Sequence, residues 1–339
     1  MRIGLTLLAA GAALFLTTAA AEAGTIEDTK ARGNVRCGTG APSPGFEFPD
    51  AQGKLRGFNI DFCRAVAAAV LGDSEKLEIT VLGPTTNLTT LAAGGIDMLM
   101  SNITYTFNRD NGVGIEFPLV YLYDGTGFLV PKSSGVKSAL DLKDATICVP
   151  AGSTIGQNVS DFFNAKKIPY KIVAYQNIDA IRVAYTQGRC DAWSLSRTGL
   201  AAGLRALDHP DQHMVLPDAI TKEPLGVVVR QGDIQWSHLV KWAVYAMIAA
   251  EEYGITSANV DEIRKTTDIP EVKRLLGVGD DLGQKMGVSA DWAYNIIKQV
   301  GNYGEIWDRN IGEKSPVGLA RGLNNLYTNG GLMIAPAIR

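Results

Sequence analysis

Two places in this chain have the residue types and spacing to hold a small anion. One is Arg109, in the stretch SNITYTFNRD at 101–110, which follows the apolar run IDMLM and a cluster of small polar side chains. A guanidinium presents a planar fork that a carboxylate meets with two hydrogen bonds. The other is Gly152-Ser153-Thr154, where an apolar stretch ends and a helical pattern starts. The free amides and positive dipole end of such a helix start attract an anion, although Ser153 or Thr154 there also reads as an ordinary cap. Chemistry beyond binding is thinly represented. There is no GxSxG elbow, no HExxH and no phosphate-binding loop, and GTGAPSPG at 38–45 lacks the glycine spacing of a dinucleotide fingerprint. His209 and His213 are four apart, but HPDQH carries Pro210 in a charged turn and does not read as a metal site. The expectation is a binding protein with no catalytic residues, no metal and no cofactor.

The elements that must position these residues alternate in type. Asn34 to Gly38 reads as a strand, and Phe58 to Leu71 as a helix with Phe62, Val66 and Val70 on one face. Leu77, Ile79 and Val81 alternate as a strand, Thr85 to Gly94 reads as a helix, and Ile96 to Met100 as a buried strand. The second half repeats the plan: strand 145–150, a helix opening at GSTIGQNV, strand 170–175, helix 178–187 and strand 190–195. Such βαβ order builds a mainly parallel sheet with helices on its faces, and ligands bind at the carboxyl ends of its strands. Asp97 and Asp191 hold matching places at a glycine stop before a strand, which makes them structural equivalents. Arg109 falls in one lobe and Gly152-Ser153-Thr154 in the other, so a carboxylate held by both would draw the lobes together. EPLGVVVRQGD at 223–233 breaks the pattern, with Gly226 after Pro224 suited to a hinge strand, and a long helix follows from about 235 to 253.

The chain opens MRIGLTLLAAGAALFLTTAAAEAG, with a basic residue, an apolar stretch and a small-x-small site at Ala21-Glu22-Ala23. This reads as a cleaved export signal over 1–23, and no later apolar run is long enough to span a membrane. The length suits two domains, and a formal net charge of -3 with pI near 5.7 argues against a nucleic-acid surface. Cys37, Cys63, Cys148 and Cys190 are even in number and widely spaced, which in an exported protein favours two disulfides. Sequence leaves three pairings open. If each half closes its own bridge, Cys37 joins Cys63 and Cys148 joins Cys190, each loop contributing about 3–4 kcal/mol by the chain-entropy argument.

GFNIDFCRAVAAAV at 57–70, DMLMSNITYTFNRD at 97–110 and CVPAGST at 148–154 resemble the family-3 extracellular solute-binding proteins of ABC transporters. VRCG, FCRAV, GRCD, SANVDE and DWAYNIIKQVGNYGEI place the resemblance nearest the general L-amino-acid-binding branch. It implies an α/β, two-lobed periplasmic-binding-protein fold of type II: two mainly parallel sheets flanked by helices, two hinge strands and a helical C-terminal extension. Residues 24–124 would form the first part of lobe 1, 125–225 lobe 2, and 226–339 the return to lobe 1 with the extension. A monomer in the periplasm would pass a carboxylate-bearing ligand to an ABC permease in the inner membrane. Carried over residue by residue, the resemblance puts the carboxylate clamp on Arg109, hydrogen-bonding positions on Ser101, Asn102 and Thr104, and helix-terminus amides on Ser153 and Thr154.

Three departures stand out. Asn59 replaces an acid of the family's first signature, and Ser43 stands where an aromatic often stacks on the ligand. Ser196, in GRCDAWSLSRTG, occupies the position of the aspartate that neutralises the ligand's α-ammonium, with Arg197 beside it. A serine cannot neutralise a desolvated cation, and a buried unpaired ammonium costs several kcal/mol. Another acid substitutes, Glu47 or Asp124, or the register shifts by a few residues, or the ligand is an organic acid or modified amino acid without a free α-ammonium. A dehydratase built on the same fold would need a general acid in the cleft.

Overall fold

A computed structural model of the protein describes residues 24–112 and 114–339, so the segment 1–23, read above as an export signal, lies outside the described residues. Two sheets organise the chain. The first runs in the order Leu77–Val81, Val35–Thr39, Met98–Thr104, Glu223–Arg230 and Ile115–Glu116, with Val120–Asp124 also pairing to Glu223–Arg230. The second runs Tyr170–Tyr175, Ala145–Pro150, Ala192–Ser196, Thr126–Pro131 and His213–Val215. In each, strands linked through helices are parallel, and the strands that enter or leave the lobe are antiparallel. This is the two-lobed α/β arrangement, but each sheet is mixed rather than mainly parallel, because the strands at the crossings run against those of the βαβ units.

The helix read over 58–71 spans Phe58–Leu71 and buries all but Arg64 and Leu71. It stops at Gly72, whose φ of 70° is the left-handed conformation glycine adopts without a Cβ penalty. The helix Ile234–Glu252 is capped by Asp233, which accepts from the Trp236 amide at 3.0 Å, and its apolar face joins the same core. Trp292–Gln299 and Tyr303–Asn310 add Trp292, Ile296, Tyr303 and Trp307 to that core. Beyond Asn310 the expected helical extension is mostly loop with two short 3-10 turns, because the segment is rich in glycine, proline and asparagine. It is pinned by polar contacts: the Asn324 side chain bonds both the amide (2.7 Å) and the carbonyl (3.0 Å) of Tyr123.

The internal repeat is visible in matched hydrogen bonds. The Asp97 carboxylate accepts from the Arg36 amide at 2.8 Å, and the Asp191 carboxylate from the Thr146 amide at 2.7 Å. In return the Asp97 and Asp191 amides donate to the carbonyls of Arg36 and Thr146, both at 2.8 Å. Each aspartate thus ties the start of one strand to the next. Disulfides join Cys37 to Cys63 and Cys148 to Cys190, with Cα atoms 6.1 and 5.8 Å apart, one bridge per lobe.

The chain crosses between the sheets at Asp124–Thr126 and returns at Thr221–Glu223. The crossings run side by side, since a Cβ on Gly125 would meet the Thr221 carbonyl oxygen at 2.5 Å. Gly226, suited by type to a hinge strand, lies in the strand Glu223–Arg230 that begins at the return crossing, opposite Ile103 and Val120. Its missing side chain makes room for the Phe117 ring, which a Cβ would approach to 2.5 Å.

Candidate functional site

Between the lobes lies a cleft of about 280 Å³, lined by strand ends and helix starts from both. On the first lobe Met98–Thr104 delivers Ser101, Asn102 and Thr104 to its wall. Asn102 is held at φ 51°, in the left-handed region that asparagine tolerates better than most residues, and its side-chain oxygen lies 2.9 Å from the Tyr121 hydroxyl. The chain then turns into the helix Phe107–Gly112, which brings Arg109 back over the strand end. Arg109 Nη1 donates to the Thr104 carbonyl at 2.9 Å, which steadies the guanidinium. Burial lowers the Arg109 pKa and Glu223 raises it in opposition. Arginine stays charged under such shifts, so its remaining donors offer a cation to the cleft.

The second lobe faces this with Pro150, Gly152, Ser153 and Thr154. Gly152 has φ 72°, a backbone conformation that favours glycine, and a Cβ there would press on the Thr85 methyl of the first lobe at 3.0 Å. The Ser153 hydroxyl donates to the Pro150 carbonyl at 2.8 Å and accepts from the Ile155 amide. Thr154 stands at the head of the helix Ile155–Lys166 but makes no side-chain cap. Its hydroxyl instead lies 3.3 Å from that of Thr104 and 3.1 Å from Glu223 Oε1, which links the lobes.

Ser196 lines the cleft as expected, with its hydroxyl accepting from the Gly199 amide at 3.3 Å as the cap of helix Arg197–Arg205. Arg197 departs from the expectation. It is exposed and does not line the cleft, because the first residue of that helix turns outward, with its amide donating to the Gly125 carbonyl at 2.9 Å. The two acids named from sequence also separate. Asp124 lies outside the lining and is occupied by the amides of Gly125 (2.7 Å) and Thr198 (3.2 Å) and by the Thr198 hydroxyl. Glu47 lines the cleft, is buried, and accepts from Asn59 Nδ2 at 2.7 Å. Burial pushes its carboxyl up to about 8. This accounts for Asn59: an amide donates to Glu47, where an aspartate would place a second buried carboxylate against it.

Sequence reading missed Glu223. It lines the cleft at the return crossing, is 2 % exposed, and accepts from Thr154 and from Asn158 Nδ2 at 2.9 Å. Burial and neighbouring Asp124 raise its pKa, while Thr154, Thr126 and Arg109 favour its charged form. Only its position before Pro224, at the edge of the pattern break, marked it in the sequence.

Residues 35–258 match the bacterial extracellular solute-binding proteins, family 3. The chain belongs to that family. It is 47 % identical to the general L-amino acid-binding periplasmic protein AapJ of Rhizobium johnstonii, over 99 % of this chain and 97 % of the relative. It is 45 % identical to the glutamate/glutamine/aspartate/asparagine-binding protein BztA of Rhodobacter capsulatus, over 96 % of each. Among solved structures, an ABC transporter periplasmic binding protein from Brucella ovis with glutathione bound superposes with a TM-score of 0.91 at 44 % identity, covering 94 % of this chain and 100 % of that one. This solute-binding protein is therefore not an enzyme, and its cleft is read as a ligand site. No helix among its described residues is long and apolar enough to cross a membrane.

Proposed function

We propose that the protein is the periplasmic substrate-binding component of an amino-acid-type ABC importer. It captures a small carboxylate-bearing ligand, an amino acid in the first instance, and as a monomer delivers it to its permease. The observation that carries this reading is the joining of Arg109, Thr104 and Thr154 across the cleft. A carboxylate taking the Arg109 donors that have no partner among the described residues, beside the start of helix Ile155–Lys166, would bond to both lobes, and so would favour the closed state by its differential affinity. The names of the two curated relatives support an amino acid as the ligand class.

The organic-acid alternative loses one of its two motives, since Arg197 does not line the cleft, while two buried acids, Glu47 and Glu223, do. A second reading has its own support. The cleft continues to Asn177, Asp179 and Arg182 of the second lobe, and the Brucella ovis relative was solved with glutathione. A peptide-sized ligand with a second carboxylate for Arg182 fits that extension.

A thermal-shift screen of the ligand-free mature protein tests both readings, since a ligand that binds only the folded state raises the melting temperature. The common L-amino acids, their decarboxylated amines and glutathione form the panel. Stabilisation by amino acids and not by the matching amines is expected. Stabilisation by glutathione alone favours the second reading, and stabilisation by amines and acids alike sinks the carboxylate clamp.

A further inference from the structure

We infer that Glu223 supplies the negative charge that meets the ligand's α-ammonium, at the crossing between the lobes, in place of the acid absent at Ser196. The inference rests on the amino-acid reading above and deepens it. In an α-amino acid the ammonium and the carboxylate sit on one carbon, with the nitrogen and carboxyl carbon only about 2.5 Å apart. Whatever neutralises the ammonium must therefore adjoin the guanidinium that holds the carboxylate.

Three carboxylates compete for the role, buried Glu47 and Glu223 and half-buried Asp124. Asp124 is outside the cleft and already accepts hydrogen bonds on both oxygens. Glu47 belongs to another part of the wall, beside Gly40, Ser101 and Asn59: a Cβ on Gly40 would lie 3.0 Å from both Glu47 Oε1 and the Ser101 hydroxyl. Glu223 is tied to the Arg109 end of the cleft by a chain of contacts: Arg109 Nη1 donates to the Thr104 carbonyl, the Thr104 hydroxyl lies 3.3 Å from that of Thr154, and the Thr154 hydroxyl lies 3.1 Å from Glu223 Oε1. The Thr154 hydroxyl and Asn158 Nδ2 both bond Oε1 of Glu223.

The same geometry explains how Ser196 is tolerated. Ser196 pairs across the sheet with Thr126, and Asn158 Nδ2 donates both to the Thr126 hydroxyl at 2.9 Å and to Glu223 Oε1. A carboxylate reaching in from the crossing thus serves the end of the strand where the serine stands. The pair Arg109 and Glu223 then presents two opposite charges to a zwitterion, and each is exchanged for a ligand group of the charge it already faces.

The test is calorimetric titration of wild-type protein and Glu223→Gln with the common L-amino acids and their 2-hydroxy analogues, which lack the ammonium. Glu223→Gln is expected to weaken amino-acid binding at least tenfold and to leave or strengthen binding of the hydroxy acids, because Arg109 loses a competing carboxylate. An unchanged preference for amino acids in the variant overturns the inference and leaves the amino-acid reading standing. Wild-type protein that binds no amino acid overturns both. Should Glu223→Gln fail to fold, the crystal structure of the wild-type protein with its tightest amino acid decides the matter. An ammonium nitrogen in hydrogen-bond contact with a Glu223 oxygen is expected, and one held by Ser196 or Glu47 without Glu223 refutes the assignment.

Discussion

Replacing Glu47 with glutamine should flatten the dependence of folding stability on pH, and the size of the effect follows from burial. Glu47 lies among buried side chains and accepts from Asn59, and burial moves its carboxyl from the ordinary 4.5 to about 8. Between those two values the unfolded chain has released this proton while the folded protein keeps it. The contribution to stability is therefore fully present below pH 4.5 and is lost as pH rises towards 8. At about 1.4 kcal/mol per pH unit, the loss is about 3 kcal/mol by pH 7 and about 5 kcal/mol once the folded carboxyl has titrated. Glutamine keeps an oxygen for the Asn59 amide and cannot ionise. Urea unfolding of ligand-free wild-type and Glu47→Gln proteins near pH 5, 7 and 9 measures the difference. The variant should match the wild type within about 1 kcal/mol at the acid end and exceed it by about 3–5 kcal/mol at the alkaline end. A gap that stays constant over the series would show that Glu47 ionises in the folded protein as easily as in the unfolded one, and would refute the reasoning.

Other expected outcomes follow from single contacts. Thr154→Val removes the hydroxyl that bonds Glu223 and faces Thr104; it should weaken amino-acid binding by calorimetry about tenfold, the worth of one charge-assisted hydrogen bond, and lower the melting temperature only slightly. Gly226→Ala forces a Cβ to within 2.5 Å of the Phe117 ring inside the first sheet, and overpacking of this kind should cost about 1–3 kcal/mol in urea unfolding. Replacing Cys148 and Cys190 together with serine should lower stability by about 3–4 kcal/mol, measured against wild type without reductant.

The elements that were legible in the sequence are those whose signal is local. Helix Phe58–Leu71 shows its periodicity and its glycine stop within the segment, and strands Ala145–Pro150 and Tyr170–Tyr175 appear where alternation and flanking turns placed them. The equivalence of Asp97 and Asp191 was readable because both follow a helix stop, and their matching bonds to Arg36 and Thr146 give it a physical basis. What escaped depends on distant partners. Strands Val120–Asp124 and Thr126–Pro131 carry no helix between them and pair with strands that come much later in the chain, so nothing nearby announces them. Gly226 suited a hinge strand by type, but the demand for glycine at that position comes from Phe117, whose approach only the folded sheet creates. Arg197 and Glu223 present the same difficulty in opposite senses. One points out of the cleft because a helix begins at it, and the other points in because two crossings converge there. Neither direction is encoded in the residues on either side.

The hold of Arg109 on a ligand carboxylate across the cleft is measured by calorimetric titration of Arg109→Gln with the amino acid that most stabilises the wild-type protein. Loss of one partner of a buried, hydrogen-bonded charge pair costs about 2–5 kcal/mol, so affinity should fall at least about thirtyfold while the unliganded melting temperature changes little. Affinity within about threefold of wild type, in a variant that folds normally, would mean that the carboxylate is bound elsewhere and that Arg109 is not its clamp.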